Sequence, residues 1–535
     1  MTPAAGAAIP VSETKALSRR EISKVIWGSS LGTVFEWYDF FVYGTLAAIL
    51  GPLFFSRELG ETGAFLASLA TYGAGLVIRP FGSLVFGRLG DLVGRKYTFL
   101  ITIILMGVST AGIGFLPTYE TAGIVATLLL VSLRLLQGLA LGGEYGGAAI
   151  YVAEHVSTHN RGHATGYIQI CATAGFFLSL VVVLSTQYLS GPDFKVWGWR
   201  VPFILSTAML LASVYIRSRL NESPVFVRMK AEGRTSSSPL RESFANKANL
   251  RLILLSLFGA VAGVGVVWYT SQFYVLIFMQ KVLKIDLATS YILMSLALAA
   301  AVPFYVVFGW LSDKWGRKPI LLVGLAIAAL TYVPLFKALT HYGNPALDLA
   351  MRTTPVQIAS SDCRIRMFEG PQNDCEKVKD HLVANGIPHT VVPSVQKGTT
   401  VIIGDKKIEG LDIAQMKAAL TAAGYPASAD PGQINRPMVV LVIFVLLLYS
   451  CACYGPLAAY LVELFPARIR YTSLSMPYHL GTGYFGGFML YFATLIASAT
   501  GNIFDGLYYS IAVSWLSVIV GFFLLPETKG RDISA

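Results

Sequence analysis

About twelve runs of ~20 mostly apolar residues punctuate this sequence, each long enough to cross the ~30 Å hydrocarbon core of a bilayer as a helix. They are centred near Trp37, Ala74, Ile104, Leu130, Phe176, Leu205, Val264, Leu298, Gly324, Val445, Gly487 and Val518. No single soluble core could bury them all. In lipid every backbone amide must find its partner inside the segment, and runs of this length do so as α-helices. Composition agrees: 54% of the 535 residues are apolar, 13% are charged, and the mean hydropathy is +0.61. A soluble domain carries about twice that share of charge. The expected fold is an all-α integral membrane protein with twelve transmembrane helices.

The net charge of +11 would suit a nucleic-acid partner only if the basic residues formed one face. Instead they cluster in the amino-terminal tail, around Arg88 to Lys96, through Arg217 to Arg251, around Lys314 to Lys318, at Arg468 and Arg470, and at Lys529 and Arg531. Counting crossings from the amino terminus puts every cluster on one side of the membrane. The positive-inside bias makes that side the cytoplasm, with both termini in it, and excludes nucleic acid. The stretch before Ser23 does not read as a cleavable signal. The apolar run that follows is long, carries Glu36 and Asp39, and lacks a small-residue cleavage site.

The charged loop "GRLGDLVGRK", Gly87 to Lys96, returns as "GWLSDKWGRK", Gly309 to Lys318, matching Gly87, Asp91, Gly94 and Arg95 with Gly309, Asp313, Gly316 and Arg317 at one constant offset. Two further pairs follow in the same order: "YVAEHVSTHNRG" with "YLVELFPARIRY", and "RLNESPVF" with "LLPETKGR". Three matched loops imply two six-helix halves, the duplication by which transporters build a site between repeats.

These motifs, together with "GTVFEWYDFFVYG" in the first span, "RLLQGLALGGEYGG" in the fourth and "GWRVPF" opening the sixth, resemble the major facilitator superfamily. Within it they resemble the metabolite:proton symporters, which include permeases for α-ketoglutarate, shikimate, citrate and proline/betaine. The resemblance runs from about Ser23 to Ile533 apart from one insertion, and implies a multi-pass protein of the bacterial cytoplasmic (inner) membrane. The expected divisions are a cytoplasmic tail over 1–22, a six-helix bundle over 23–216, a cytoplasmic loop over 217–250 and helices seven to nine over 251–339. An extracytoplasmic insert over 340–436, helices ten to twelve over 437–526 and a cytoplasmic tail over 527–535 complete the chain.

The insert is polar but patterned. "PVQIASSDCRI" and "TTVIIGD" read as strands, while "NDCEKVKDHLVANG" and "LDIAQMKAALTAAG" read as helices ending at Gly386 and Gly424. A small α/β domain is expected. Two of the five cysteines, Cys363 and Cys375, lie in it on the oxidising side, where a disulfide or two free thiols can stand. Cys171, Cys451 and Cys453 sit in apolar runs as small hydrophobes.

An ionisable side chain within a span costs roughly 2.5–3.5 kcal/mol, so each is a functional candidate. Glu36 and Asp39 stand three apart on one face of the first span. Two carboxylates there repel when both are ionised, the arrangement a proton-coupled carrier needs. Arg79 in the second span demands an anion, supplied either by a first-span carboxylate or by the substrate's own. The first supply would leave a static pair; competition between the two would couple protonation to binding. Arg134 and Glu144 in the fourth span lie about 15 Å apart along the axis and cannot touch. Arg134 resembles the family's fourth-span arginine, which the resemblance places in proton coupling. Glu144, among glycines, serves either proton carriage or close helix packing.

The resemblance gives Arg200 of "WGWR" an anionic-substrate role; otherwise it snorkels to the outer interface. In the seventh span, Tyr269 and Gln272 offer hydrogen bonds to an oxygen-rich substrate, as does Tyr38 in the first. His479 is either a titrating group or a satisfied core histidine. The repeated loops read as a conformational latch of Gly87, Asp91, Gly94, Arg95, Arg161, Asp313, Gly316, Arg317, Glu463 and Arg468, with Arg470 a further partner. Arg95 and Lys96 would face the anionic inner leaflet.

No phosphate-cradling loop, metal-ligand spacing or activated nucleophile is present in the sequence. The expected activity is proton-driven symport of a small organic acid, with the proton as coupling ion, no catalytic residues, no cofactor and no metal. The bilayer is the partner and the monomer the working unit. A zwitterion symporter of proline/betaine type, or a sugar symporter, has the same fold. Proline/betaine carriers of the family typically add a long cytoplasmic coiled-coil tail, and this sequence stops shortly after its last span.

Overall fold

A computed structural model describes residues 19–93, 95–143, 149–150, 152–153, 156–218, 239–363, 371–394, 398–466 and 469–533; the side chains of 19–31, 87–99, 216–217 and 239–240 fall outside that description. Among the described residues, ten helices are long and apolar enough to span a bilayer: 32–54, 57–86, 124–141, 158–195, 247–282, 287–315, 317–343, 436–464, 470–500 and 507–524. Two shorter apolar helices, Leu100–Phe115 and Arg200–Tyr215, occupy the third and sixth places. Each apolar run of the sequence becomes one of these twelve spans, numbered here in chain order.

Among the described residues, two spans contain π-helical turns. The seventh contains π-helical turns at Leu257–Val261, Thr270–Tyr274 and Phe278–Val282, and the eleventh one at Gly481–Gly486. Such turns shift the side chains that follow around the helix and recur at functional sites. Between the second and fourth spans, glycine sets the approach. A Cβ on Gly142 would stand 2.1 Å from the Arg79 carbonyl, and one on Gly138 1.7 Å from that of Gly75.

The insert follows the ninth span and is an α/β unit. Its strands are β1 (Val356–Ser360), β2 (His389–Pro393), β3 (Thr399–Ile403) and β4 (Lys406–Glu409), in sheet order β2-β1-β3-β4. β1 runs parallel to β2 and antiparallel to β3. Alternate residues of β1 and β3 are buried, so one face packs on the helices α1 (Asp374–Ala384) and α2 (Ile413–Ala422). Asn373 and Asp412 cap these helices at their starts, and Gly386 and Gly424 follow their ends at φ +64° and +84°, a backbone region that favours glycine. Cys363 and Cys375 are disulfide-bonded. The strands β2 and β4 were absent from the sequence reading; both are largely exposed edges and carry no alternating apolar signal.

The insert docks by matching charged side chains to helix ends. Lys284 Nζ donates to the carbonyl of Ala384, the last residue of α1, at 2.8 Å, and Lys379 of α1 donates to Ala499 at the end of the eleventh span at 2.6 Å. Cations at helix C-termini are electrostatically favourable. The second span's N-terminus, whose N-cap Leu59 provides no side-chain cap, receives Asp380 instead: Thr62 N donates to its Oδ1 at 3.2 Å.

Candidate functional site

At mid-depth, on the plane between the halves, Arg79 and Arg134 lie close enough to interact electrostatically and are 1% and 0% exposed. Trp37 and Phe40 cover Arg79 with ring centroids 5.2 and 4.5 Å from its guanidinium carbon. Phe40, Tyr43 and Tyr72 surround Arg134 at 4.5, 4.5 and 5.2 Å. Arg134 Nη1 donates to Gln137 Oε1 at 2.5 Å, but its Nε and Nη2, like Nε and Nη2 of Arg79, have no hydrogen-bond partner among the described residues. Neither arginine has an ion-pair partner there. Of the two anion sources that the sequence left open for Arg79, a first-span carboxylate forms no ion pair with it among the described residues.

Both of those carboxylates are buried. Asp39 is 4% exposed, neighbours Ser206 of the sixth span, and leaves Oδ1 without a hydrogen bond among the described residues. Glu36 is equally buried. Of the two parties to the expected Arg–carboxylate competition, Asp39 thus neighbours the sixth span in this conformation, while Trp37 and Phe40 of the first span cover Arg79.

The opposite wall comes from the second half. Tyr269, Tyr454, Tyr478 and His479 are electrostatic neighbours of Arg79. His479 is 1% exposed with neither ring nitrogen hydrogen-bonded among the described residues. Tyr269 meets Tyr72 edge-on at 6.1 Å, Phe41 stacks on Trp268 at 5.1 Å, and Phe273 packs on Phe176 at 4.4 Å. Gln272 Nε2 reaches Tyr305 Oη at 3.4 Å, which also receives the Thr173 hydroxyl at 3.0 Å, while Gln272 Oε1 has no hydrogen-bond partner among the described residues. The π-helical turn Thr270–Tyr274 presents Gln272 and Phe273 here together.

Two expected substrate contacts are not brought to this cluster. Tyr38 donates its hydroxyl to the Pro202 carbonyl at 2.6 Å, tying the first span to the sixth. Arg200 lies on the Trp199 ring at 4.4 Å and donates to the carbonyls of Gly114 and Leu116 at 3.0 and 2.6 Å. It thus serves the C-terminus of the third span, whose free carbonyls attract a cation. Conversely, the sequence reading passed over Trp37, Phe40, Tyr43, Tyr72 and Thr173. Tyr72 stands seven residues before Arg79, two helical turns away on the same face, which was the available signal.

The repeated loops gather at the end opposite the insert. Glu463 Oε1 accepts from Arg161 at 2.8 Å and from Arg317 at 3.1 Å, all three buried. Arg317 also pairs with Asp313 at 2.6 Å, and Asp313 accepts from the Gly162 and His163 amides at 2.9 and 2.8 Å. Arg470 donates to the Ile533 carbonyl at 2.6 Å. Gly316, at φ +106°, turns the chain into the ninth span. Arg317 is fully buried, with Glu463 and Asp313 supplying its counter-charge. Gly94, Glu144 and Arg468 lie outside the described residues, as do the side chains of Asp91 and Arg95 and the surroundings of Gly87.

Comparison with known proteins identifies the frame. The family profile described as Major Facilitator Superfamily matches residues 30–347, up to the approach to the insert. The inner membrane metabolite transport protein YhjE of Escherichia coli (strain K12) is 36% identical over 334 residues, covering 61% of this chain and 75% of that protein. The proline/betaine transporter of Salmonella typhimurium (strain LT2) is 34% identical over 340 residues, covering 61% and 67%. The partially occluded inward open xylose transporter XylE from E. coli is similar in fold, with a TM-score of 0.62 at 16% identity over 96% of this chain and 99% of that one. With twelve spans in two repeated halves and a profile match over more than half its length, this chain belongs to the major facilitator superfamily of membrane transporters.

Proposed function

We propose that the protein is a proton-coupled symporter that takes up a small metabolite bearing a carboxylate, by alternating access of a site centred on Arg79. The observation that carries this reading is the pair of buried guanidinium groups, each with two nitrogens lacking a hydrogen-bond partner, and neither ion-paired, among the described residues. A buried cation without an anion is costly, and a planar fork matches a carboxylate in two-point geometry. Glu36, Asp39, Glu144 and Arg134 are the candidate proton-coupling groups, with His479 beside Arg79 as a further one.

The aromatic wall favours a second form of the same reading. Rings of Phe41, Tyr72, Trp268, Tyr269 and Phe273 stand within reach of one another; aromatic faces of this kind attract quaternary ammonium groups. A betaine-like zwitterion would set its carboxylate on Arg79 and its cation on these rings. The loop end is assigned to the cytoplasm from the positive-inside bias, which puts the insert and its disulfide outside.

Uptake into energised right-side-out vesicles tests both forms, with dicarboxylates, shikimate, aromatic acids and betaine offered with and without a protonophore. Accumulation should collapse with the protonophore, and Arg79→Ala should lower it by at least about ten-fold, the usual loss for a charge-assisted hydrogen bond. Uptake indifferent to the protonophore removes the coupling; near-normal accumulation by Arg79→Ala removes the site.

A further inference from the structure

Outward of the central cluster, a cavity is walled by three spans and the insert at once. The second span contributes Thr62 and Phe65, the seventh Tyr274 and Lys281, the eleventh Ser498, and the insert closes it with Ala384 and Ile387. Lys281 is eight residues beyond Phe273 on the seventh span, about 12 Å along the axis. The cavity therefore sits above the central site on the insert side.

Its walls are mainly apolar, with a few polar groups left open. Ser498 is 6% exposed, and its Oγ has no hydrogen-bond partner among the described residues. The Thr62 Oγ1 is likewise buried and unbonded, although its amide is held by Asp380. The Lys281 ammonium stands 5.0 Å from the Phe65 ring centroid and has no ion-pair partner among the described residues. Glu61 also lines the cavity at its exposed side, beyond ion-pair distance of Lys281. Buried hydroxyls without partners are unusual in native proteins, and here two of them share an apolar chamber with one ammonium.

We infer that this chamber is a second binding site, an outer station for a small carboxylate with an apolar body, its carboxylate on Lys281, Thr62 and Ser498. The insert is then part of a binding site: it supplies the roof, and Gly386 holds that roof tightly on the seventh span, where a Cβ would meet the Lys281 and Val282 carbonyls at 2.8 and 2.7 Å. The ligand class is that of the central site, so the inference rests on the carboxylate reading.

Benzoate is a suitable probe, with benzyl alcohol as its neutral counterpart. The full chain in lipid nanodiscs is titrated with each while its thermal unfolding midpoint is followed, in the native protein, Arg79→Ala, and Arg79→Ala combined with Lys281→Met, Lys281→Arg or Ser498→Ala. The expected result is saturable stabilisation of Arg79→Ala by benzoate and not by benzyl alcohol. It should be lost with Lys281→Met, kept with Lys281→Arg, and shifted to about ten-fold higher concentration with Ser498→Ala, as for loss of one hydrogen bond to a charged group. Absence of benzoate stabilisation in Arg79→Ala, or its full retention with Lys281→Met, overturns the site. Should the Lys281→Met protein not fold, an unshifted Ser498→Ala titration overturns it instead. The central site is judged separately, by vesicle uptake in Arg79→Ala, whatever the benzoate titration gives.

Discussion

At each end of the molecule, an aspartate from beyond the midpoint of the chain caps a helix of the first half. At the loop end Asp313 accepts from Gly162 and His163 at the start of the fifth-span helix; at the insert end Asp380 accepts from Thr62 at the start of the second. Both use the free amides and positive dipole of a helix N-terminus as the receiving surface. They differ in what stands around them. Asp313 belongs to a buried network in which Glu463 ties Arg161 to Arg317, whereas Asp380 makes a single part-buried bond from a domain whose other hydrogen bonds to the spans, among the described residues, run to the second half. Two halves that rock about a central site need contacts at both ends that can break. The insert end is built to part more easily.

Removing the anion at the centre of the loop-end network should have the largest effect. Glu463→Ala leaves Arg161 and Arg317 buried without their shared partner and should cost about 3–5 kcal/mol, read as a lower unfolding midpoint in detergent. A midpoint unchanged within error would mean that the network contributes no hold. The next largest lies in the insert. Burial holds the His389 imidazole down at about 4, from an ordinary 6.5. Between those values the unfolded insert takes up a proton that the folded one refuses, so its stability falls as pH drops from ~6.5 toward ~4 and is unaffected above, by at most ~3 kcal/mol. Hydrogen exchange of α1 and β2, corrected for intrinsic rate, should quicken over that window in the native protein and not in His389→Gln. A pH-independent profile would break the assignment.

The two caps can then be compared directly. Asp313→Ala should destabilise by about 2 kcal/mol, having lost two amide bonds and an arginine partner, and Asp380→Ala by about 1 kcal/mol for one cap. Spin labels across each end should report the same order, with Asp380→Ala widening the insert-end distance distribution while leaving the loop end unchanged. If Asp380→Ala alters neither end, the insert is a passenger on the second half and the symmetry of the two caps has no mechanical meaning.

Much of this architecture was legible in the residues themselves. Apolar runs of membrane-crossing length located all twelve spans, the repeated loop divided them into halves, and the alternating β1 and β3 with the glycine-terminated helices α1 and α2 disclosed the insert. The strands β2 and β4 escaped because an exposed edge needs no apolar alternation. Glu36, Asp39, Arg79 and Arg134 stood out by the cost of placing charge in lipid.

What those charges do was a different matter. That Arg79 faces Arg134, His479 and tyrosines instead of Asp39, that Arg200 serves a helix end, and that Arg317 is buried against Glu463 all depend on how helices distant in sequence rotate and pack. The sequence by itself determined which segments enter the membrane, how they repeat and which residues are too costly there to be accidental, because these follow from local hydrophobicity and charge. Only the tertiary structure decided who partners whom, because a buried charge takes its counterpart from whichever helix the packing brings within a few ångströms.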